Sequence, residues 1–204
     1  MSLEEAVSKG ELVPIRCLRV KTNVDLTRVR FNQIQYNAHD LETAVFVPSR
    51  DELIVETYLS HVKGRRTVAF CANVLHGERL AARFRTAGVH AESVSGRDND
   101  ARRQETLGGF ASGKIQVLCA CDILNEGWDS PAVEVLFMAR PTLSRIIYLQ
   151  QLGRGTRKSP DTGKSCLLVF DFVDNAGRYN TALNLHRLLG KKDYRPGGLV
   201  LAPS

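Results

Sequence analysis

Thr67-Val68-Ala69-Phe70-Cys71-Ala72-Asn73 reads as a short strand running into a helix cap, and the same pattern recurs along the chain. Residues 67–71 are apolar or β-branched, as in a strand covered on both faces. Asn73 then offers a side-chain oxygen to the first free amides of a helix expected to about residue 87. That helix carries Leu80, Ala81 and Phe84 on one face, and Gly88 stops it. Outward from there, residues 89–94 read as a second strand, and Asp98 or Asn99 caps a helix reaching Phe110. Residues 115–121 and 133–138 are further strands, and Thr142 caps a helix over 143–152. Residues 165–172 form the last strong strand, followed by a helix over about 178–189. Apolar strands alternating with helices imply an α/β fold with a mainly parallel sheet covered on both faces. Right-handed crossovers then narrow the topology to a doubly wound, three-layer αβα sandwich.

The first 64 residues differ. Segments 13–21 and 29–36 read as extended stretches of mixed polarity, and Ser49 with Glu52 forms a capping box opening a helix to about residue 62. The expected division is a lead-in over 1–64 that packs on the sheet, a main domain over 65–190, and a C-terminal tail over 191–204 read as a loop.

Composition sets limits on what the chain can be. Its 204 residues, 43% hydrophobic and 25% charged, suit one globular domain with an extension. No apolar run approaches the roughly 20 residues that span a bilayer, and no signal peptide opens the chain, so no membrane partner is expected. A net charge of +6 and a pI near 9.2 are compatible with a polyanion, though a mildly basic surface also serves solubility alone. Five cysteines without framework spacing read as free thiols in a reducing, cytoplasmic setting, four of them (Cys71, Cys119, Cys121, Cys166) inside apolar runs. Cys119 and Cys121 share a strand face, but no second Cys or His pair stands at zinc spacing, so no metal site is expected.

Chemistry concentrates in two stretches. Gln150-Gln151-Leu152-Gly153-Arg154-Gly155-Thr156-Arg157 places two arginines three apart beside two glycines, where a helix runs out. Guanidiniums bond phosphate oxygens two at a time, and residues three apart at a helix end face the same way, so the pair suits one phosphate group. The other stretch, Cys121-Asp122-Ile123-Leu124-Asn125-Glu126-Gly127-Trp128-Asp129-Ser130-Pro131, follows the third strand. Its start lies at a carboxyl end, where open parallel sheets bind ligands. Gly127 permits close backbone approach and Asp129 offers an acceptor, although Gly-x-Asp before proline is by itself only a turn.

Together these stretches resemble the superfamily-2 helicases. The first is similar to motif VI, Q-x-x-G-R-x-x-R, and the second to motif V, with Cys121 where the family carries threonine. Residues 67–73 resemble motif IV, and Arg140-Pro141-Thr142-x-Ser144 leading into Tyr148 is similar to a subgroup of DNA helicases that includes restriction-type motor subunits. The resemblance covers about residues 65–175 and implies a RecA-like second motor domain. It implies that Arg154 and Arg157 contact the γ-phosphate of ATP bound with magnesium, Arg157 as the arginine finger, with Gln150 orienting them. Gly127 and Asp129 would couple nucleotide to nucleic acid. Backbone amides around Ala72, Asn73, Ser95, Gly96, Cys121 and Asp122 would hold strand phosphates, of DNA by subgroup.

Other patterns fail on spacing. Thr162-Gly163-Lys164-Ser165 ends like a phosphate loop, but the pattern needs glycine where Lys158 stands, and a strand follows instead of a helix. Gly153-x-Gly155 fails as a dinucleotide fingerprint at the same Lys158. Asp171 and Asp174 diverge on a strand end and do not suit metal-dependent cleavage. The sequence holds no complete phosphate loop and no D-E-x-x box directly following an apolar strand. The family keeps both in a first, N-terminal RecA-like domain, expected in the same parent protein before residue 1. The chain alone is therefore expected to be silent as an ATPase. The alternative is a degenerate helicase-like domain that binds nucleic acid or protein without catalysis.

Overall fold

Every residue of β2 (Thr67–Phe70), β4 (Val117–Cys121) and β5 (Val135–Met138) is buried, so these strands have no solvent face. Their composition demands cover on both sides, and helices supply it. The computed structural model describes residues 6, 9–30, 37, 39, 40, 44, 47–121, 130–141, 145–175, 200 and 201. Its further elements are β1 (Ile15–Asp25), α1 (Pro48–His61), α2 (Val74–Thr86), β3 (Ala91–Ser95), α3 (Asp100–Ala111), α4 (Arg145–Gly153), β6 (Leu167–Asn175) and β7 (Val200–Leu201).

The strands form one sheet in the order β3-β4-β2-β5-β6-β1-β7, parallel from β3 through β1, with two-residue β7 antiparallel at the edge. Successive side chains alternate between two cores. Val68, Phe70, Leu118, Ala120, Leu136 and Met138 join Phe110 of α3 and Tyr148 and Leu152 of α4 in one cluster. Ala69, Val117, Cys119, Val135 and Phe137 join Ile54 and Tyr58 of α1 and Leu80 and Phe84 of α2 in the other. Phe137 meets Phe170 and Phe172 edge-on at 5.1 and 5.4 Å, and Tyr58 meets Phe84 likewise at 5.5 Å, the geometry aromatic quadrupoles favour. The result is the three-layer αβα sandwich that the strand–helix alternation implies.

Local signals hold at most helix ends. Asn73 Oδ1 accepts the His76 amide at 2.8 Å, Asn99 Oδ1 accepts the Arg102 amide at 2.9 Å, and Gly88 follows α2 at φ +77°. The Ser49 capping box does not form: α1 starts at Pro48 with Val47 as cap, because a ring that fixes φ and needs no amide bond suits the first helical position. The larger difference lies in the lead-in. Residues 15–25 do not lie on the sheet but are a strand of it, β1 pairing in parallel with β6 from Ile15↔Leu167 to Lys21↔Val173. Two residues of the expected loop-like tail pair with β1, as Arg16↔Leu201 and Cys17↔Val200. The extended segment at 31–36 and the helix over 178–189 lie outside the described residues.

Cys17, Cys71, Cys119 and Cys121 are buried free thiols, and Cys166 is half-buried. A hydrogen bond with Cys119, together with burial, pushes the Cys71 thiol well above the ordinary range, so it stays protonated and unreactive.

Candidate functional site

The arginine stretch is built where α4 ends. Tyr148, 1% exposed, anchors the helix from below by donating to Asp171 Oδ2 at 3.3 Å, and Leu152 fills the adjoining core. That bond and the burial of Asp171 also account for this carboxylate as a structural acceptor. Gln151 is buried while Gln150 and Leu149 face solvent. The helix closes at Gly153, and the amides of Arg154 and Gly155 donate back to Gln151 and Leu152 at 3.2 and 3.0 Å. Arg157 is not on the helix: it is extended and bridges Leu12 antiparallel, while the Val13 amide donates to Thr156 O at 2.8 Å. The two arginines are thus presented by a turn and an extended residue, not by one helical face. Arg154 is half-buried and Arg157 exposed.

Two contacts make that turn rigid. A Cβ at Gly155 would stand 2.4 Å from Leu167 Cδ1, inside any tolerable contact, so glycine lets the turn lie on the start of β6. The Lys164 ammonium donates to Gly155 O at 3.0 Å and to Pro131 O and Val133 O at 2.7 Å each. Lys164, the lysine of the failed phosphate loop, is therefore a tie between two backbone segments, 131–133 and the arginine turn.

The candidate phosphate-holding amides sit elsewhere. Arg157, Gly155 and Leu12 cluster at the amino ends of β1 and β6, whereas Ala72, Asn73, Ser95, Gly96 and Cys121 lie at or just beyond the carboxyl ends of β2, β3 and β4. Among these, two amides are already engaged: Ala72 N–H donates to His76 Nδ1 at 3.1 Å, and Ser95 N–H to Asp98 Oδ2 at 2.7 Å. Asn73 spends its side-chain oxygen capping α2, and Gly96 is exposed with open space around it. Cys121 is buried at the end of β4, paired with Ser95. Asp122, Gly127 and Asp129 lie outside the described residues.

Behind Ala72 and Asn73 stands a charged cluster that patterning did not foretell. Asp51 and His76 are both 0% exposed; Arg79 Nε donates to Asp51 Oδ2 at 2.6 Å, and His76 Nε2 lies 3.4 Å from Asp51 Oδ1. Since His76 Nδ1 accepts from Ala72, the neutral ring carries its proton on Nε2, facing Asp51. Burial drives the imidazole below its ordinary pKa, and Asp51 pulls it only partly back. For Asp51, burial pushes upward, but hydrogen bonds and charge from His76 and Arg79 outweigh it and hold the carboxyl below its ordinary value. Arg50, 1% exposed, donates to Ala139 O at 2.8 Å. The sequence signal for it is the charged run Arg50-Asp51-Glu52 at the start of α1.

The model of the helicase conserved C-terminal domain matches residues 38–159. The chain belongs to that family. A 51.5 kDa protein of a Lactococcus phage is 26% identical over 97% of this chain and 42% of its own length. A Schizosaccharomyces pombe protein named as the mitochondrial ATP-dependent helicase irc3 is 36% identical over 61% of this chain and 20% of its own. A fragment of an HsdR subunit of a type I restriction enzyme from Vibrio vulnificus superposes over 94% of this chain and 36% of its own, with a TM-score of 0.66 at 17% identity. Other relatives carry the names of an Escherichia coli type I restriction endonuclease subunit (24% identical over 84% of this chain and 24% of its own) and of a Debaryomyces hansenii rRNA helicase (28% over 71% and 31%). The chain spans between 13% and 42% of the length of the curated relatives it matches. The sandwich is RecA-like, as in the C-terminal domain of the DEAD-box protein Dbp5, matched over 72% of this chain and 82% of that one at a TM-score of 0.57 and 17% identity.

Proposed function

We propose that this helicase C-terminal domain is the second motor domain of an ATP-dependent DNA helicase or translocase. The turn from Gln150 to Arg157 carries the reading: two guanidiniums at one end of the sheet, held by Gly155 and Lys164, suit the phosphate end of a nucleotide. They fit that end and not a whole ATP, because the sequence supplies no phosphate loop, and its D-E-x-x string, Asp51-Glu52-Leu53-Ile54, opens α1 with Asp51 bonded to Arg79 instead of ending a strand. ATP with magnesium is then bound mainly by a first RecA-like domain, and supplies the phosphoryl group. On this chain Arg157 neutralises charge developing on the γ-phosphate, Arg154 binds beside it, and Gln150 orients both.

Nucleic acid takes the opposite end of the sheet. Among the described residues, the candidates left there are the amides of Asn73 and Gly96; those of Ala72 and Ser95 shape the loops instead. Cys121 ends β4 at that end and Val135 opens β5 at the other, so the stretch of chain bearing Gly127 and Asp129 joins the two ends. That connection supports its role in coupling. DNA is favoured by the similarity of Arg140-Pro141-Thr142-x-Ser144 to restriction-type motors.

The test is ATP turnover. The chain alone is expected to hydrolyse no ATP with or without nucleic acid, and turnover from it would refute the half-motor reading. In the protein that unites it with a phosphate-loop domain, single-stranded DNA should stimulate hydrolysis more than RNA of equal length. There Arg157→Ala should lower kcat about 10³-fold or more while ATP affinity changes only a few-fold. Nucleic-acid binding with no hydrolysis in the united protein would favour the non-catalytic binding module.

A further inference from the structure

We propose that Lys164 is a positioning residue that locks the arginine turn to the end of the coupling segment, so that the two move as one body. The inference rests on the motor reading for its consequence, but its physical content stands on hydrogen bonds alone. An ammonium has three donors in a tetrahedral fan and no plane to satisfy. Three carbonyls match that fan at 2.7, 2.7 and 3.0 Å: Pro131 and Val133, just after the Gly127–Asp129 segment, and Gly155, between the two arginines. These three peptides are 22 or more residues apart in sequence from one side to the other (Val133 to Gly155), yet one side chain bonds both sides. Such bonds to a charged donor are stronger than neutral ones. The Gly155 backbone also packs so closely on Leu167 that a Cβ there would stand 2.4 Å from Leu167 Cδ1. A shift of the 131–133 segment is therefore carried to the arginine turn through Lys164, with the core of β5 and β6 as a fixed base.

The amides that report on this tie are Val133, which donates to Ser130 O, and Arg154 and Gly155, which donate to Gln151 O and Leu152 O. In the 204-residue chain, Lys164→Met should speed hydrogen exchange at all three by about tenfold or more while amides of β2 and β4 keep their protection. Loosening confined to one of the two segments, or to neither, overturns the tie. Should Lys164→Met fail to fold, Lys164→Arg serves: a planar guanidinium cannot serve the three carbonyls in the same fan, and partial loosening of both segments is expected. In the protein united with a phosphate-loop domain, Lys164→Met should lower nucleic-acid-stimulated kcat about 10–100-fold and leave the KM for ATP within about threefold, as for a misplaced catalytic group. An unchanged kcat with both segments loosened overturns the coupling role. Absence of stimulated hydrolysis in the wild-type protein would sink the motor reading instead, and the exchange result would still judge the tie.

Discussion

Gly155 shows how a residue with no side chain sets the geometry of charged ones. Leu167 is fully buried and cannot swing away from a new Cβ at 2.4 Å. Gly155→Ala is expected to destabilise the chain by about 1–3 kcal/mol, the usual range for overpacking a fixed core. Urea unfolding measures it. Leu167→Ala should recover part of that loss in a double-mutant cycle, and purely additive effects would sink the explanation. The glycine was legible in the sequence as part of a phosphate-gripping pattern. Its reason was not, since Leu167 reaches it only where the chain folds back to start β6. The same holds for Lys164, whose neighbours in sequence suggested a phosphate loop and whose actual partners are carbonyls at positions 131, 133 and 155.

At the scale of elements, the pairing of α1 with α2 depends on Asp51, His76 and Arg79 as well as on Tyr58 against Phe84. Folding lowers the His76 pKa below its ordinary 6.5, so the unfolded chain takes up that proton more readily and stability falls as pH drops below about 6.5. Asp51 is also lowered, from 3.8; its contribution is present above that value and is lost as pH falls through the lower folded one. Both groups weaken the fold toward acid, in two successive windows. Denaturant unfolding at about pH 7.5 and about pH 5.5 should show the first loss, and His76→Gln should flatten it while still accepting the Ala72 amide. An identical slope in that variant would exclude His76 as the cause. Helix periodicity located α2, whose limits Asn73 and Gly88 marked from the sequence alone, whereas α1 was placed through a capping box that does not form. The buried charges escaped because period counts place charge outside by default, and only packing shows a carboxylate enclosed by its partners. The α4 helix was likewise legible, but the departure of Arg157 into a bridge with Leu12 was not, because that partner lies 145 residues away.

For the whole molecule, the decisive feature is that one parallel sheet has two chemically different ends, the arginine turn at one and the loops after β2, β3 and β4 at the other. Such a sheet is complete only with β1. A chain truncated to begin at residue 65 loses β1 and α1, baring the β6 edge and removing Ile54 and Tyr58 from the core. It is expected to lack a cooperative unfolding transition, which calorimetry checks; a sharp transition like that of the intact chain would restore the lead-in to the status of an accessory. The strand–helix alternation and the buried sandwich follow from local composition and spacing, because apolar strands and capped helices write their periods into contiguous residues, while the family is read from the motif residues that it shares. Strand order, the inclusion of residues 15–25, the engaged amides of Ala72 and Ser95 and the tie at Lys164 were settled by tertiary structure. Each depends on contacts between distant segments, where geometry, and not residue type, selects the partner.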